Sequence, residues 1–427
     1  MGGQWRFYRF HALLTKQIEP RPDNNSVRRT IPMIEGGDMN SAERHAARRK
    51  RREAARAAKR AAFVAQYDNY ENVISANALI RAAKLSRRGV RWKASVQRYF
   101  VNLLRNTWEL RNKLKNGVSV VMGFICFTIM ERGKLRNIRS VHFKERVVQR
   151  SLCDNALVPV LSRSLVYDNG ASLEGKGIHF ALYRCRHHLR RYFREHHTNK
   201  GWVLLIDFSG YFDNILHGPL KQMIVENFHD RHIRWLVWQF VKSFGEKSLG
   251  IGSQVSQILA VAYCSDIDHF AREVLGLNLG ARYNDDSYYF HESKEYLEHC
   301  LEILRAKFAE KGITLNPKKT QIIPLRRFTF LKVRFNLLDT GKVIMKPAQT
   351  SITRERDKLK KFRRMVDAGE MSLEDVRCNY ESWRGYHAKN QGRALIQNMD
   401  KLYYDLFGLR PSCYTKKKKK KKGAKAA

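Results

Sequence analysis

Hydrophobic and polar positions follow different periods along the chain. Between residues 70 and 116, apolar residues recur three and four positions apart, which predicts helices packed on a core. Trp92 could contact a nucleic-acid backbone together with Arg91 and Lys93, but we expect it to pack in the core. From Val118 to Phe335, short apolar runs alternate with helical stretches, an α/β or α+β pattern. The longest apolar run, Val118 to Met130, is predicted to be a core strand or helix.

The C-terminal part of the chain is predicted to be helical. From Ser351 onward the spacing indicates three helices. Thr350 or Ser351 is suited to cap the first, and Gly369 to end it. Ser372 is suited to cap the second, since Asp375 follows three residues later.

Two segments carry little apolar pattern. Residues 1–40 show no clear period, and we expect a loosely ordered leader. Residues 41–60 are rich in Ala and Arg, which favour a helix, but lack a large apolar stripe. Two interpretations stay open for this helix: a basic arm lying on RNA or DNA, and a merely solvated helix. The lysine run 416–422 is expected to be disordered and to attract polyanions.

Charge narrows the class of partner. Lys and Arg total 81 against 40 Asp and Glu, a net charge of +41. Such an excess repels itself unless a polyanion neutralises it, and nucleic acid is the usual one. A hydrophobic content of 43% allows a large core and excludes a disordered chain. The histidine pairs at 187–188 and 196–197 lie among arginines on a predicted helix, where we expect contact with phosphates rather than metal binding.

Cysteine usage and hydropathy indicate the compartment. The 7 cysteines form no C-x-x-C pair, which argues against a zinc module. Their odd number fits reduced thiols, and we expect a cytoplasmic protein without a signal peptide. The longest apolar run is too short to cross a bilayer, so no membrane partner is expected.

Two carboxylate sites stand out. Asp207 lies at the end of the apolar run Trp202 to Phe208, and Asp285 and Asp286 lie near the start of a second run. Buried neighbouring carboxylates are costly unless a cation neutralises them. A pair of Mg²⁺ ions would do so and would clamp the oxygens of a phosphoryl transfer. Alternatively, each Asp caps a turn or pairs with an arginine such as Arg282.

Several segments in the right order resemble the motifs of reverse transcriptases, over about residues 70 to 410. Residues 283–286 resemble the Y-x-D-D box, and 207–213 resemble the segment with the first metal ligand. The other matching segments are 133–138 and 143–149 (fingers), 250–257 (template and nucleotide support), 312–320 (the next palm motif) and 330–331 (primer grip).

The resemblance implies an α+β fold of the right-hand polymerase type. Its parts are fingers, a palm with an antiparallel sheet flanked by helices, and a helical thumb. The implied domains are a partly disordered basic N-terminal extension (1–69), N-terminal helices and fingers (70–200), a palm with the Y-x-D-D box and inserted fingers elements (201–347), a helical thumb (348–410) and a lysine-rich disordered tail (411–427).

The resemblance also implies roles for single residues. Two Mg²⁺ ions, replaceable by Mn²⁺, would be held by Asp207, Asp285, Asp286 and the backbone carbonyl of Phe208, the three aspartates being the catalytic set. The implied nucleotide-binding residues are Lys134, Arg136, Phe212, Gln257 and Lys318 or its neighbour Lys319. The implied template and primer contacts are Gly252, Ser256, Phe330 and Leu331. A bulky Phe212 below the sugar would exclude a 2′-hydroxyl.

The subfamily is indicated by two further segments. Ser256-Gln257 and the stretch 382–387 resemble diversity-generating retroelements, whose enzymes copy RNA with errors at adenines beside a small basic accessory protein. The implied partners are an RNA template, a DNA or RNA primer, dNTPs and that accessory protein. Alternatives are an intron-like, retron-like or phage-defence reverse transcriptase, an RNA-making polymerase on a similar palm, and an RNA-binding protein that keeps the palm as a scaffold.

Overall fold

The computed structural model describes residues 40–131, 134–388 and 393–411, which form seventeen α-helices and ten strands. The expected leader at 1–39 and the lysine run lie outside the described residues. The first half contains α1 (Ser41–Tyr67), α2 (Tyr70–Ile74), α3 (Ala76–Ser86), α4 (Ala94–Val101), α5 (Leu103–Lys115), β1 (Phe124–Glu131), β2 (Lys134–Val141), α6 (Phe143–Leu152), a π-helical turn (Cys153–Leu157), α7 (Val158–Leu161), α8 (Ile178–His196), β3 (Trp202–Ser209), α9 (Tyr211–Asn214) and α10 (His217–Asn227).

The second half completes the palm sheet and ends in the predicted three helices. Its elements are α11 (Arg231–Lys242), α12 (Gln254–Tyr263), α13 (Ser265–Glu273), β4 (Gly280–Tyr283), β5 (Asp286–His291), α14 (Lys294–Glu310), β6 (Thr314–Leu315), β7 (Gln321–Pro324), β8 (Arg327–Phe330), β9 (Val333–Leu337), β10 (Val343–Pro347), α15 (Gln349–Asp367), α16 (Leu373–His387) and α17 (Arg393–Phe407). None of these helices combines the length and apolar character that a bilayer crossing requires, within the described residues.

The central sheet has the strand order β4-β5-β3-β6, with β7 also paired to β3, and the pairs are antiparallel. Helices cover both faces of β3, so it is apolar along most of its length. Because side chains alternate, Leu204 and Ile206 enter one core, while Val203 and Leu205 enter another. Asp207 shares the parity of Val203 and Leu205. The α+β architecture expected from the sequence, an antiparallel sheet flanked by helices, is confirmed.

The run Val118 to Met130 is not a core element, which corrects the prediction. It leads into β1, which among the described strands pairs with β2 alone, as a two-stranded hairpin. The base of the hairpin is anchored where the ring of Phe124 lies 4.7 Å from that of Phe244. Farther out the strands have no covering layer. Three apolar side chains of β1 are therefore exposed: Ile125 (51%), Phe127 (48%) and Ile129 (39%).

The N-terminal helices contain a second correction. Trp92 is 73% exposed, and the Lys93 ammonium lies 5.5 Å from its ring centroid. Trp92 falls in the turn between α3 and α4, so the helical periodicity that places their apolar residues inside does not extend to it. The expected helix in residues 41–60 is present as α1, which buries none of its residues.

The three C-terminal helices enclose their own core, including Leu359, Tyr380 and Tyr403. Ser372 caps α16 as predicted, accepting from the Asp375 amide. The first helix is not capped by Thr350 or Ser351. Instead, α15 begins at Gln349, its N-cap residue is Ala348, and no side chain caps it. The physical reason lies in the preceding hairpin, because the Ala348 amide donates to the Lys332 carbonyl at 2.9 Å and sets the chain direction there.

Candidate active site

The pairing of β3 with β5 brings the predicted carboxylates together. Asp207 is directly opposite Asp286 in the antiparallel register, so their side chains share one face of the sheet. Asp285 lies in the two-residue turn that joins β4 to β5. Asn284, the first residue of that turn, has φ of +55°, a left-handed conformation that Asn tolerates better than most residues. The turn thus explains an Asn at this position.

The cluster is buried, negative and partly neutralised by a lysine. Asp207 is 6% exposed, and its Oδ2 accepts a hydrogen bond from the Lys319 ammonium at 2.7 Å. Burial, together with the charges of Asp285 and Asp207, raises the pKa of Asp286 to about 7. Burial opposes the charge on Lys319, but the bond to Asp207 and the other carboxylates raise its pKa overall.

The backbone of Asp207 is held by the segment that follows β6. The Asn316 amide donates to the Asp207 carbonyl at 2.7 Å. The Asp207 amide donates to the Thr320 hydroxyl oxygen at 3.4 Å, and this hydroxyl also lies 3.4 Å from the Asp207 carbonyl. Asn316 and Thr320 were not singled out from the sequence, although both lie in the predicted palm motif at 312–320.

Arg282 does not pair with the clustered aspartates, contrary to the alternative considered from the sequence. Its guanidinium is 1% exposed and makes a bidentate ion pair with Asp268 of α13, with contacts of 2.6 to 2.9 Å. It also donates to the Asn284 carbonyl at 3.2 Å and to the Val261 carbonyl of α12 at 2.9 Å. Arg282 therefore ties the turn with Asp285 to two helices behind the sheet.

The carboxylates fit a hard cation by their donor chemistry. The Oδ1 atom of Asp207 is buried without a hydrogen-bond partner, although buried polar atoms rarely stay unpaired. Asp286, directly opposite on β5, adds a second carboxylate. Among the described residues, no group of three or more His, Cys, Asp or Glu side chains is already assembled as a metal site. The Lys319 ammonium lies 2.7 Å from Oδ2 of Asp207 and supplies positive charge to the cluster.

The raised pKa of Asp286 predicts that the cluster destabilises the metal-free fold at alkaline pH. In the folded state Asp286 keeps its proton up to about pH 7, whereas an unfolded Asp releases it near pH 4, about the model-peptide value. Folding therefore takes up a proton between about pH 4 and pH 7, so the free energy of unfolding falls as pH rises across this window and levels off above it. We expect Asp286→Asn to raise the free energy of unfolding at pH 8 by about 1–3 kcal/mol.

Denaturant titration in EDTA measures this effect, and pH 4 is its internal control. There the Asp286 carboxyl is protonated in the folded state, so the variant and the wild type should differ little. An equal stability gain at both pH values would contradict the electrostatic origin.

Phe212 lies next to the cluster, five residues after Asp207. It is half-buried in α9 against the main core, and its carbonyl accepts from the Leu249 amide at 2.7 Å. This bond joins α9 to the start of the segment 250–257. The backbone of Phe212 is therefore joined to the residue that precedes the predicted template-support segment, and the role of its ring stays a prediction.

The segment 250–257 packs closely against the rest of the protein. A Cβ on Gly252 would lie 2.5 Å from the Arg139 carbonyl oxygen, so this glycine permits a close approach to β2 of the chain itself. Ser256 is 2% exposed inside α12, and its template contact stays a prediction. Gln257, the next residue, is exposed. The difference arises because α12 turns successive side chains by about 100°.

A buried contact between the two predicted motifs was missed from the sequence. The side-chain carbonyl of Gln149 in α6 accepts from the Ser253 hydroxyl at 3.1 Å and from the Gln254 amide at 3.2 Å. The Gln149 amide group donates to Glu145 at 2.9 Å. Gln149 therefore holds the N-terminus of α12 against the motif at 143–149.

The other residues predicted to bind the nucleotide or a metal lie in β2, in β3 and in the segment after β6. Lys134 and Arg136 lie in β2, where the structure describes their backbone. Lys318 is exposed and does not reach Asp207, whereas its neighbour Lys319 does. Phe208 is buried, and its amide donates to the Asp285 carbonyl at 3.3 Å. The roles of these residues stay predictions.

The predicted primer-grip residues form a hairpin turn beside the C-terminal helices. Phe330 is 4% exposed and its ring packs in a core cluster, and its primer contact stays a prediction. Leu331 and Lys332 form the turn between β8 and β9 with φ of +45° and +63°. The Tyr386 hydroxyl of α16 donates to the Leu331 carbonyl at 2.7 Å, which links this turn to the helices.

One histidine of the predicted phosphate-contacting helix is buried, which corrects that prediction. His188 in α8 is 1% exposed, and its Nδ1 lies 2.9 Å from the Tyr288 hydroxyl. Burial lowers its pKa, although Asp168 lies nearby. The apolar period of α8 turns His188 toward the sheet, while its neighbour His187 is exposed.

Comparisons with known proteins bear on this site. Residues 129–335 match the family model described as reverse transcriptase (RNA-dependent DNA polymerase). No curated protein has a significant sequence match to the chain.

Solved structures similar to the chain include two telomerases. Apo telomerase from Candida tropicalis, truncated from its C-terminal domain, has 15% identity and a TM-score of 0.40, covering 56% of this chain and 59% of that one. Telomerase from Candida albicans in complex with a TWJ fragment of telomeric RNA has 15% identity and a TM-score of 0.44, covering 67% and 55%. The chain thus spans less than two thirds of the length of either structure.

Proposed function

Residues 129–335 form a reverse transcriptase domain, the catalytic domain of an RNA-directed DNA polymerase, and from this premise we propose that the chain copies RNA into DNA by two-metal nucleotidyl transfer. The primer 3′-hydroxyl attacks the α-phosphate of a dNTP, and pyrophosphate leaves. The observation that carries the proposal is Asp207 opposite Asp286 across β3 and β5, with a buried Oδ1 atom that lacks a partner.

Each residue of the cluster has a task in this proposal. Asp207, Asp285 and Asp286 would hold two Mg²⁺ ions, which supply charge neutralisation and polarise the attacking and leaving oxygens. The Lys319 ammonium donates to the Asp207 carboxylate at 2.7 Å and partly balances the negative charge of the cluster. If bound cations balanced the charge of Asp207, the Lys319 ammonium would be available to bind the triphosphate. This is the task that the sequence predicts for Lys318 or Lys319.

The retroelement type is proposed from the sequence resemblance. Ser256-Gln257 and the stretch 382–387 resemble diversity-generating retroelements, so we infer a template RNA copied with errors at adenines and a small basic accessory protein as partner. The stretch 382–387 includes Tyr386, which reaches the Leu331 carbonyl in the predicted primer grip. This contact supports a task for the stretch in positioning the primer.

Primer extension tests the activity and its sugar selection together. On poly(rA) primed with oligo(dT), the wild type should incorporate dTTP with Mg²⁺ and should reject UTP. Phe212→Ala should relax this rejection by about 10-fold or more, because the ring that excludes the 2′-hydroxyl is removed. Leu220→Ala, a buried core substitution elsewhere, is the control for a general loss of packing.

The outcomes separate the competing functions. A wild type that prefers UTP to dTTP would overturn DNA synthesis in favour of an RNA-making polymerase. Sequenced products from a mixed RNA template should show errors concentrated at template adenines, and accurate products would contradict the diversity-generating assignment. RNA binding without any incorporation, with RNA and accessory protein supplied, would favour the scaffold function.

A further inference from the structure

The helix α1 is an unusual element, because it is long and strongly basic and contacts the rest of the protein mainly at its C-terminal end. It spans 27 residues from Ser41 to Tyr67 and buries none of them. At about 1.5 Å per residue it is about 40 Å long. Its basic residues are Arg44, Arg48, Arg49, Lys50, Arg51, Arg52, Arg56, Lys59 and Arg60.

Local interactions begin the helix, and its C-terminal end attaches it to the rest of the protein. At the start, Asn40 and Glu43 form a reciprocal capping box. At the end, the guanidinium of Arg163, two residues after α7, lies 4.1 Å from the ring centroid of Phe63. Asp68, just after the helix, accepts from the Asp230 amide at 3.1 Å. The helix is therefore anchored at one end and presented along most of its length.

The charges occupy one side of α1. At about 100° per residue, all of its basic residues except Lys50 project from about half of the circumference, and alanines fill most of the other half. Phe63 lies on the basic half, so this half is on the side of Arg163. Within the described residues, Glu53 is the one carboxylate that pairs with a basic residue of α1, Arg49, at 3.0 Å. The positive charge of this basic face is thus almost entirely left for a partner.

We propose that the basic face of α1 binds the phosphate backbone of the template RNA outside the catalytic cleft. This rests on the proposed function, which makes RNA the polyanion that the protein must hold before synthesis begins. Neutralised phosphates release counterions, so a row of arginines contributes affinity without reading sequence. Phe63 and Tyr67 on this face are already in contact within the protein, Phe63 with Arg163 and Tyr67 with Phe63 at a centroid distance of 4.7 Å, which favours backbone contact over base stacking.

The composition of the helix argues against other partners. A protein interface needs an apolar or aromatic centre, and the basic face offers arginine and lysine instead. A membrane-surface helix needs bulky apolar residues opposite its charges, and the opposite half of α1 is mostly alanine. A polyanion with repeating phosphates matches both the charge and the length of the face.

The test compares the full chain with two variants that differ in where charge is placed. The first variant combines Arg48→Gln, Arg52→Gln and Arg56→Gln on the basic face. The second adds Ala54→Arg, Ala57→Arg and Ala61→Arg on the alanine side, which restores net charge on the wrong face. All six positions are exposed, so the fold should tolerate them, and circular dichroism checks this. Fluorescence anisotropy with a labelled RNA hairpin is measured from low to high salt.

We expect the first variant to bind the RNA about 10-fold more weakly. The slope of log affinity against log salt concentration should become shallower by about 2–3, since each phosphate contact contributes slightly less than about 1 to this slope. The second variant should remain weak. Binding like the wild type in the first variant, or full recovery in the second, would overturn the proposal. A loss confined to a DNA hairpin probe would overturn the assignment to RNA.

The same samples keep this inference separate from the proposed function. Extension of primed poly(rA) at saturating template should proceed at the wild-type rate in the first variant, because α1 lies outside the carboxylate cluster. If the wild type does not extend the primer but binds RNA through the basic face, the proposed polymerase function is contradicted. The inference that α1 binds RNA then still holds.

Discussion

Asp207→Asn is expected to lower nucleotide incorporation by about 1,000-fold or more, because a metal ion contributes several kcal/mol to the transition state and each tenfold in rate is about 1.4 kcal/mol. The substitution keeps the shape of the side chain and its backbone bonds to Asn316 and Thr320. It removes the charge that Lys319 and the proposed cations balance. The rate loss should therefore appear without loss of the fold.

Single-turnover primer extension at saturating dNTP and Mg²⁺ measures this loss. Asp213→Asn is the matched control, because Asp213 is an exposed aspartate in the same segment that does not belong to the cluster. Its rate should stay within about twofold of the wild type, as expected for a surface position. Equal activity in Asp207→Asn and the wild type would remove Asp207 from the catalytic set, and a similar loss in both variants would indicate damage to α9 instead.

The parts of the site found from the sequence are those with a strong local signal. An apolar run that ends in Asp207, and a second run that begins with Asp285 and Asp286, are visible without coordinates. The strand register that places Asp207 opposite Asp286 depends on a hairpin whose turn type can be read only roughly from Asn284. The catalytic roles themselves remain predictions.

Other residues could not be chosen from the sequence because their direction depends on the local turn. Lys318 and Lys319 are equivalent in composition, and the turn after β6 decides that Lys319 reaches Asp207. Ser256 and Gln257 are likewise neighbours, and the rotation of α12 exposes the second. In such cases the phase of a turn or helix start decides, and single-sequence patterns locate these boundaries poorly.

Hydrophobicity alone also misplaced two segments. The run from Val118 to Met130 is apolar enough for a core strand, but the hairpin has no sheet or helix over its outer part. Trp92 is large and apolar, yet it lies in a turn. Burial depends on which elements meet in space, and long-range pairing is not encoded in the local period.

Asp268 gave a sequence signal that was overlooked. It occupies the apolar side of α13, three residues before the buried Ala271 and four after the buried Cys264. A carboxylate at such a position must have a buried partner. The partner is Arg282, shortly before the turn with Asn284 and Asp285, so this pair links the core to that turn.

Breaking that pair is expected to affect both stability and rate. Asp268→Leu leaves the guanidinium of Arg282 buried without its carboxylate, which should cost about 3–5 kcal/mol of unfolding free energy. The double variant Asp268→Leu and Arg282→Met replaces both charges with apolar groups and should regain most of that stability. It cannot restore the bond from Arg282 to the Asn284 carbonyl. We therefore expect the extension rate of the double variant to stay about 10- to 100-fold below the wild type, since a misplaced catalytic group costs on that order.

This split between recovered stability and unrecovered rate distinguishes a positioning residue from a structural one. Denaturant titration gives the stability, and extension at saturating dNTP gives the rate. The Mg²⁺ concentration for half-maximal rate should also rise in the double variant, because the turn with Asp285 loses its anchor behind the sheet. If the double variant regains the wild-type rate along with its stability, the pair serves the core alone, and the orientation of the turn is determined by the β4–β5 hairpin itself.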